Sequence, residues 1–585
     1  MPYLILIFVF LSLFTSSQIT NSLIKSFSNS KKQIIFLSNT PKIIVNKDFF
    51  LFFTFNPPSN LDSFEVILSS EQLPQLHLGS NFRFFKNKNC FTQKKFTRTK
   101  SLSRTYQKYQ FQRKSNCKLK KDKIIYSSYA PTSAFTYPLT FHFFDHQKKL
   151  LSKKSFPLKI QEDNDIFLNC QMIRKTKVYL HCSGLDSLGN SSNNGLLVQG
   201  GLEFTNQTID QVIFAPHFFL IKNPKDFMRF HYHYKGKNYI SNALPPKNNP
   251  IYFGDLHTHS MYSDSRLPVT PHDLFQYGKN VSALDFMAIT DHAEGVFGKP
   301  LNKKQWLNTI QQTKKANQAN RFSAFLGFEW TSTFLTPKSP WGHRTIIYPN
   351  YNGLPYRSDL KNYSSPKKLY KATGNVFSFP HHSMIHWGSF NYKMGLQNNE
   401  KAFEVFSSHG SSEDIHTTIK QPVIHGSLHE AIKNTDAKFS ILAASDTHAG
   451  HPGLNDWYNL IKPSMLDGGG LTAVFSKKNN KKSIYQNLMD KKFYATSGTR
   501  IILLPNNFHH PFPLKVYGTH ELHHIKIISF NKKGHKRFQT LPLSGKKATI
   551  VQNEVSFHDV DKYYLQIKQK DNELAWIGPY FYNKK

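Results

Sequence analysis

From about residue 250 the sequence predicts an α/β fold, a mostly parallel sheet closed into a barrel, and three observations carry the prediction. Short apolar runs alternate with helix-like segments, the pattern of strand–helix–strand units. Seven such runs can be counted: Tyr252–Leu256, Asp285–Thr290, Ser323–Phe328, Thr345–Tyr348, Asn375–Phe379, Ala402–Phe406 and Phe439–Ala444. Most of them end in His, Asp or Glu, and in α/β barrels the C-terminal ends of the strands form the active face. Lys303–Asn320 and Ser427–Thr435 read as helices between runs, and Lys482–Lys491 as a further helix beyond them.

Residues 19–249 read as a β-rich accessory domain. Aromatic and β-branched runs recur at Gln33–Leu37, Phe49–Phe55, Phe64–Leu68, Phe135–Phe144, Lys177–Cys182 and Gln211–Leu220, separated by turn signals such as Asn56-Pro57-Pro58. A sandwich is the simplest arrangement. Leu244-Pro245-Pro246-Lys247-Asn248-Asn249-Pro250 reads as a linker, 250–467 as the barrel, and 468–585 as barrel completion and a small β appendage. The cysteines, Cys90, Cys117, Cys170 and Cys182, lack the close pairs of a zinc ribbon. Three pairings would give two disulfides, the local one being Cys90–Cys117 with Cys170–Cys182; buried thiols are the other reading.

The N-terminal apolar run Tyr3–Phe14, followed by Ser16, Ser17 and Gln18, reads as an export signal over residues 1–18, although no Lys or Arg precedes it. It is short for a bilayer span, so a periplasmic, secreted or cell-surface location is expected. The net charge of +38 is spread along the chain and reads mainly as compositional drift. Its densest stretch, 86–123, holds 14 Lys/Arg against Asp122, with Phe91, Phe96, Tyr106, Tyr109 and Phe111 interleaved. Such a stretch either grips a polyanion or forms a solvated hairpin. No obligate protein partner is implied.

The chemistry lies in the histidines. Half of the 28 fall between residues 251 and 452. In Asp255-Leu256-His257-Thr258-His259, the two imidazoles stand at i and i+2 of an extended segment and share one side, so they can bind one metal together. Asp264 follows closely. The second run ends Thr290-Asp291-His292 and the third Gly327-Phe328-Glu329, whose glutamate needs a partner if buried. Then come Gly342-His343-Arg344, Phe379-Pro380-His381-His382 and Ser445-Asp446-Thr447-His448.

This ordered set resembles the PHP (polymerase and histidinol phosphatase) superfamily of metal hydrolases. More narrowly it is similar to the PHP-like family called domain of unknown function 3604, through Tyr252–His259, Gly327–Thr331, Val405–Glu413, Ala444–His448 and Tyr494–Arg500. The resemblance covers roughly residues 250–505. It implies a distorted (β/α)7 barrel holding two or three divalent ions of zinc, manganese or iron. By position, His257 and His259 would share one metal with Glu329 and Asp446. Glu329 would bridge to a second, held by His343 and by His381 or His382, with His382 preferred. Asp264, His292 and His448 would hold the third.

The expected activity is therefore that of an exported metal-dependent hydrolase, with a small-molecule or polymeric phosphoester as substrate and a metal-bound hydroxide as nucleophile. Arg344 is expected to clamp a phosphate oxygen or pair with an acid. His409 is expected at the substrate, as proton donor to the leaving oxygen or as a wall of the pocket. Asp291 is expected to orient a ligand or act as a base. Two other classes compete: a metal-dependent hydrolase of amides or non-phosphate esters, and a surface-binding protein that retains metal without turnover.

Overall fold

The computed structural model describes strands within residues 43–161 and most of the chain from 166 to 581. The segments 187–189, 193–194, 266–268, 296–299, 333–340, 455–468 and 553–558, and residues 395, 398, 418 and 420, are not described. The export signal expected at 1–18, Cys90, Cys117 and most side chains of the basic stretch 86–123 lie outside the described residues. Among the described residues no helix is long and apolar enough to cross a membrane.

The chain divides near residue 162 into two compact units. The first holds a six-stranded sheet in the order Ile43–Ile44, Leu150–Gln161, Thr136–Phe144, Ser63–Ser70, Arg104–Arg113, Phe91–Ser101. A three-stranded sheet, Asp48–Phe55, Asp122–Tyr129 and Asn81–Phe84, accompanies it. The basic stretch thus supplies the strands Phe91–Ser101 and Arg104–Arg113 and the start of Asp122–Tyr129.

The second unit opens with a two-sheet sandwich. Ile166–Arg174, Val178–Asp186 and His217–Leu220 face a sheet of Thr208–Ile213, Leu196–Leu202, Phe230–Tyr234 and Lys237–Ile240. Strand alternation sends Leu168, Met172, Leu180, Val198 and Phe230 into one core, which Met228 joins from the loop before Phe230–Tyr234. Cys170 and Cys182 stand directly opposite on neighbouring strands, 4.2 Å apart at Cα, and form a disulfide. The expected linker is irregular but packed: Leu244 is fully buried, Arg174 donates to the Pro245 carbonyl at 2.7 Å, and Asp226 accepts from the Lys247 amide at 3.0 Å.

The elements from residue 251 are numbered here from that point. They are β1 (Ile251–Asp255), α1 (Pro271–Asn280), β2 (Phe286–Ile289), α2 (Lys303–Ala316), β3 (Ser323–Thr331), β4 (His343–Ile347), α3 (Pro366–Thr373), β5 (Phe377–His381) and β6 (Ala402–Ser407). Next come α4 (Leu428–Asn434), β7 (Ser440–Ala443), β8 (Leu471–Phe475), α5 (Lys481–Met489), β9 (Phe493–Thr496), β10 (Ile502–Leu504), β11 (Leu514–Phe530), β12 (Lys536–Val551), β13 (Lys562–Gln569) and β14 (Leu574–Phe581). Capping boxes start the first two helices, Thr270 with Asp273 for α1 and Asn302 with Gln305 for α2.

The expected (β/α)7 barrel is not what these elements build. Strands dominate, there are five α-helices among the described residues, and no sheet closes on itself. One open 12-stranded sheet runs β5-β4-β3-β2-β1-β8-β9-β14-β13-β11-β10, with β12 beside β11. Only β1, β2 and β3 lie parallel within it, and α1 and α2 make the crossovers that parallel neighbours require. Strands β4 and β5 join antiparallel, which needs no crossover helix. Strands β6 and β7 pair with each other in a separate small sheet with Gly410–Ser411. Toward the C-terminus β8 lies next to β1, β9 next to β8, and β14 continues the same sheet from β9.

The register of Cys170 against Cys182 gives a direct test. A C170A/C182A protein should lose about 2–4 kcal/mol of stability in urea unfolding of the sandwich-containing unit; an unchanged midpoint would contradict the pairing.

Candidate metal centre

The ends of β1, β2 and β3 and the turn after β7 are tied together by backbone hydrogen bonds. The His257 carbonyl accepts from the Asp446 amide at 2.8 Å, and the His259 amide donates to the Thr447 carbonyl at 3.1 Å. Thr258 donates its hydroxyl to the Ala288 carbonyl at 2.8 Å, and the Thr290 amide donates to the Thr258 carbonyl at 2.9 Å. Asp255, buried at the end of β1, accepts from the Ser445 amide at 3.0 Å and the Gly453 amide at 3.0 Å. These ties fix where the imidazoles of His257 and His259 point, both on one side as period-two geometry requires.

At the centre stands Glu329, 1% exposed. One carboxylate oxygen lies 3.1 Å from His257 Nε2 and 3.2 Å from His259 Nε2. The other lies 2.7 Å from His343 Nδ1, 3.1 Å from His381 Nε2 and 3.3 Å from His292 Nδ1. Asp446, equally buried, sits 3.0 Å from His259 Nε2 through Oδ1 and 3.1 Å from His409 Nε2 through Oδ2. Asp264 Oδ2 meets His448 Nε2 at 3.0 Å and His292 Nε2 at 3.3 Å.

The donor atoms fall into four overlapping groups, each within 4.8 Å: His259, Asp264, His292 and His448; Glu329, His343, His381 and His382; His257, His259 and Asp446; His382, His409 and Asp446. His259, Asp446 and His382 each belong to two groups, so the groups form one connected cluster. These groups can hold metal ions. Both Asp446 oxygens, His343 Nε2, His381 Nε2 and His382 Nδ1 are buried without a well-formed hydrogen bond among the described residues. A cation would satisfy such atoms, since uncompensated buried polar groups are costly. The donor set of imidazole and carboxylate suits zinc, manganese or iron.

The electrostatics reflect buried carboxylates and imidazoles crowded together. Burial opposes charge on His257, but Asp446, Glu404 and Glu329 outweigh it and raise its pKa to about 10. Burial opposes charge on Glu329 too, yet His292, His381 and the flanking imidazoles hold its carboxyl well below the usual range. Burial, with His257 adding to it, lowers His381 to about 3, and burial with His381 and His343 lowers His382. Burial thus favours the neutral, metal-ligating form of both, whereas the carboxylates around His257 favour its charged form.

Every residue expected at the metals is in the cluster: His257, His259, Asp264, His292, Glu329, His343, His381, His382, Asp446 and His448. Both His381 and His382 belong to the Glu329 group; His381 is the one in ion-pair contact with Glu329, while His382 turns toward His409 as well. His382 and Asp446 hold positive φ angles of 32° and 51°, a conformation non-glycine residues seldom adopt and one that clusters at functional sites. His409 reaches the cluster through Asp446 and is among its more exposed members. Asp291 lies outside the four groups. It accepts from the Ser260 amide at 2.7 Å, the Ser260 hydroxyl at 2.6 Å and the Ser263 hydroxyl at 2.8 Å, so it shapes the loop that presents His259 and Asp264.

Arg344 corrects the expectation of a phosphate clamp. One step along β4 from His343, it faces the other side of the sheet. There it is fully buried, donates to Glu400 at 2.7 Å and stacks 4.2 Å from the Phe390 ring. Its other stated expectation, pairing with an acid, is the arrangement seen. Sequence reasoning missed Glu404, whose carboxylate lies 2.9 Å from His257 Nδ1. Such a carboxylate behind a ligating imidazole fixes its tautomer and aim. Burial raises Glu404 to about 7, with His257 pulling it down. The signal available was an acid inside the otherwise apolar Ala402-Phe403-Glu404-Val405-Phe406.

With the geometry established, comparison with known proteins adds a family match. A family described as "Protein of unknown function (DUF3604)" matches residues 295–436 and 425–505. This supports the narrower of the two resemblances drawn from the motifs. An uncharacterised protein of Chlamydia pneumoniae is 23% identical over 367 residues, covering 56% of this chain and 57% of its own length. The alignment thus spans little more than half of that relative. Among solved structures, a DUF4466 family protein from Parabacteroides merdae aligns at 10% identity with a TM-score of 0.15, over 34% of this chain and 63% of that one. At that score the likeness carries no argument.

Two substitutions test the site's construction. Glu404→Gln should weaken metal binding by about 10–100-fold in chelator competition, with little change in folding. Arg344→Ala should instead destabilise the protein by about 3–5 kcal/mol in denaturant unfolding, because Glu400 is left buried without a counter-charge.

Proposed function

We propose that the chain is a metal-dependent hydrolase acting on phosphate esters. The observation that carries the reading is the sharing of Glu329 and Asp446 between buried imidazole groups, an arrangement suited to holding adjacent cations. In this reading His257, His259 and Asp446 hold one ion, Glu329, His343 and His381 a second, and Asp264, His292 and His448 a third. Bound divalent ions supply Lewis acidity toward a phosphoryl oxygen and lower the pKa of water to about 7.

The chain's own residues do the rest. Glu404 keeps His257 aimed. Asp291 holds the Ser260–Ser263 turn that carries His259 and Asp264 to the cluster. In this reading His409, which contacts Asp446, passes a proton to the leaving oxygen.

A second reading, hydrolysis of an amide or non-phosphate ester, is favoured by one observation. Arg344 is turned away from the cluster, so the cationic side chain expected to recognise phosphate is missing from it.

The two readings separate in one assay. Protein loaded with Mn²⁺ or Zn²⁺ should retain metal after desalting and release 4-nitrophenol from its phosphate mono- or diester. Asp446→Ala should reduce turnover by at least about 100-fold. Retained metal without turnover of any phosphoester, together with hydrolysis of a 4-nitrophenyl carboxylate or anilide, would replace the first reading with the second.

A further inference from the structure

One large apolar side chain at the cluster has no part in the chemistry above. Trp387 lies in the turn after β5, half-buried, with its ring centroid 4.9 Å from His382, 5.5 Å from His409 and 5.8 Å from His343. These three imidazoles come from different elements and belong to the two groups that contain Glu329 and Asp446. His382 and His409 are themselves in edge contact at 5.3 Å. The indole therefore forms a wall beside the more open part of the cluster, next to the residue placed to protonate a leaving group.

The wall is rigid. The Ile385 amide donates to the His382 carbonyl at 3.0 Å, the Gly388 amide to the Ile385 carbonyl at 3.0 Å, and the Phe390 amide to the Ser383 carbonyl at 3.3 Å. Ser383 is anchored in turn, donating to the Gly426 carbonyl at 2.6 Å. The indole packs against Met384, Ile385 and Ile419. Gly388 completes the fit: a Cβ there would lie 2.6 Å from His382 Nδ1. A large, partly exposed aromatic surface on a hydrogen-bonded turn beside the cluster offers flat ring groups a stacking partner at low entropic cost.

We infer that Trp387 forms the leaving-group subsite and selects substrates whose leaving group carries a planar ring, such as an aryl or nucleobase-bearing ester. The subsite rests on the hydrolase reading for its location but not on the bond that is cleaved. Ring stacking is expected to raise affinity by about 3–10-fold over a ring-free counterpart.

Equilibrium binding to the metal-loaded protein tests this with two pairs of inert ligands, phenylphosphonate with methylphosphonate and phenylacetate with acetate. The proposal expects the ring-bearing member of a pair to bind more tightly, the preference to vanish in Trp387→Ala, and Trp387→Phe to restore most of it. Metal content measured on each variant separates a lost subsite from a lost cluster. A ring preference that survives in Trp387→Ala, its absence in both pairs, or failure of all four ligands to bind would overturn the proposal. Phosphonate binding without ring preference would do so while leaving the phosphate reading intact. A Trp387-dependent preference confined to the carboxylates would keep the subsite and sink the phosphate reading.

Discussion

A single carboxylate organises this protein's centre. Glu329 stands two residues before the end of a strand that is buried along its whole length, and its two oxygens face His257 and His259 on one side and His343, His381 and His292 on the other. A charged group so deeply buried costs several kcal/mol, roughly, unless opposite charge surrounds it. Imidazoles supply part of that compensation, and cations between them and the carboxylate would supply the rest. The other features of the centre follow from this need. Asp446 and Asp264 extend the negative charge, Glu404 fixes the imidazole of His257 from behind, and Asp291 shapes the loop between.

The framework gives that cluster its rigidity. Three parallel strands bring His257, His292 and Glu329 to the same sheet end, while the antiparallel pair β4 and β5 adds His343 and His381 in direct register. β7 lies outside the large sheet, yet the turn that follows it is tied by backbone bonds to the residues after β1, which brings Asp446 to the others. The backbone at Asp446 and His382 is held in an uncommon conformation, at an expense of order 1–3 kcal/mol each. Dense hydrogen bonding from the neighbouring segments sustains it.

The centre was far more legible in the sequence than the fold. A strand's side chains alternate faces, so His257 with His259 and Asp446 with His448 could be paired by spacing alone, and the strand-end positions of Glu329 and His343 pointed to the same rim. The same alternation explains the error at Arg344, which adjacency placed beside its neighbour although one residue along a strand means the opposite face. Glu404 was overlooked because it sits inside a strand rather than at its end. The apolar runs were strands, but nothing in a run distinguishes parallel from antiparallel partners. Strands β8, β9 and β14 come late in the chain yet complete the sheet from β1 outward, a pairing over a sequence distance that no local pattern reports.

The central claim is that Glu329 joins cation sites on its two sides. Anomalous diffraction from crystals of the full chain grown with Mn²⁺ or Zn²⁺ tests it most directly. The account predicts strong peaks on both sides of the Glu329 carboxylate, one bounded by His257, His259 and Asp446 and the other by His343 and His381. Peaks confined to surface histidines, with the space around Glu329 free of scattering, would contradict it.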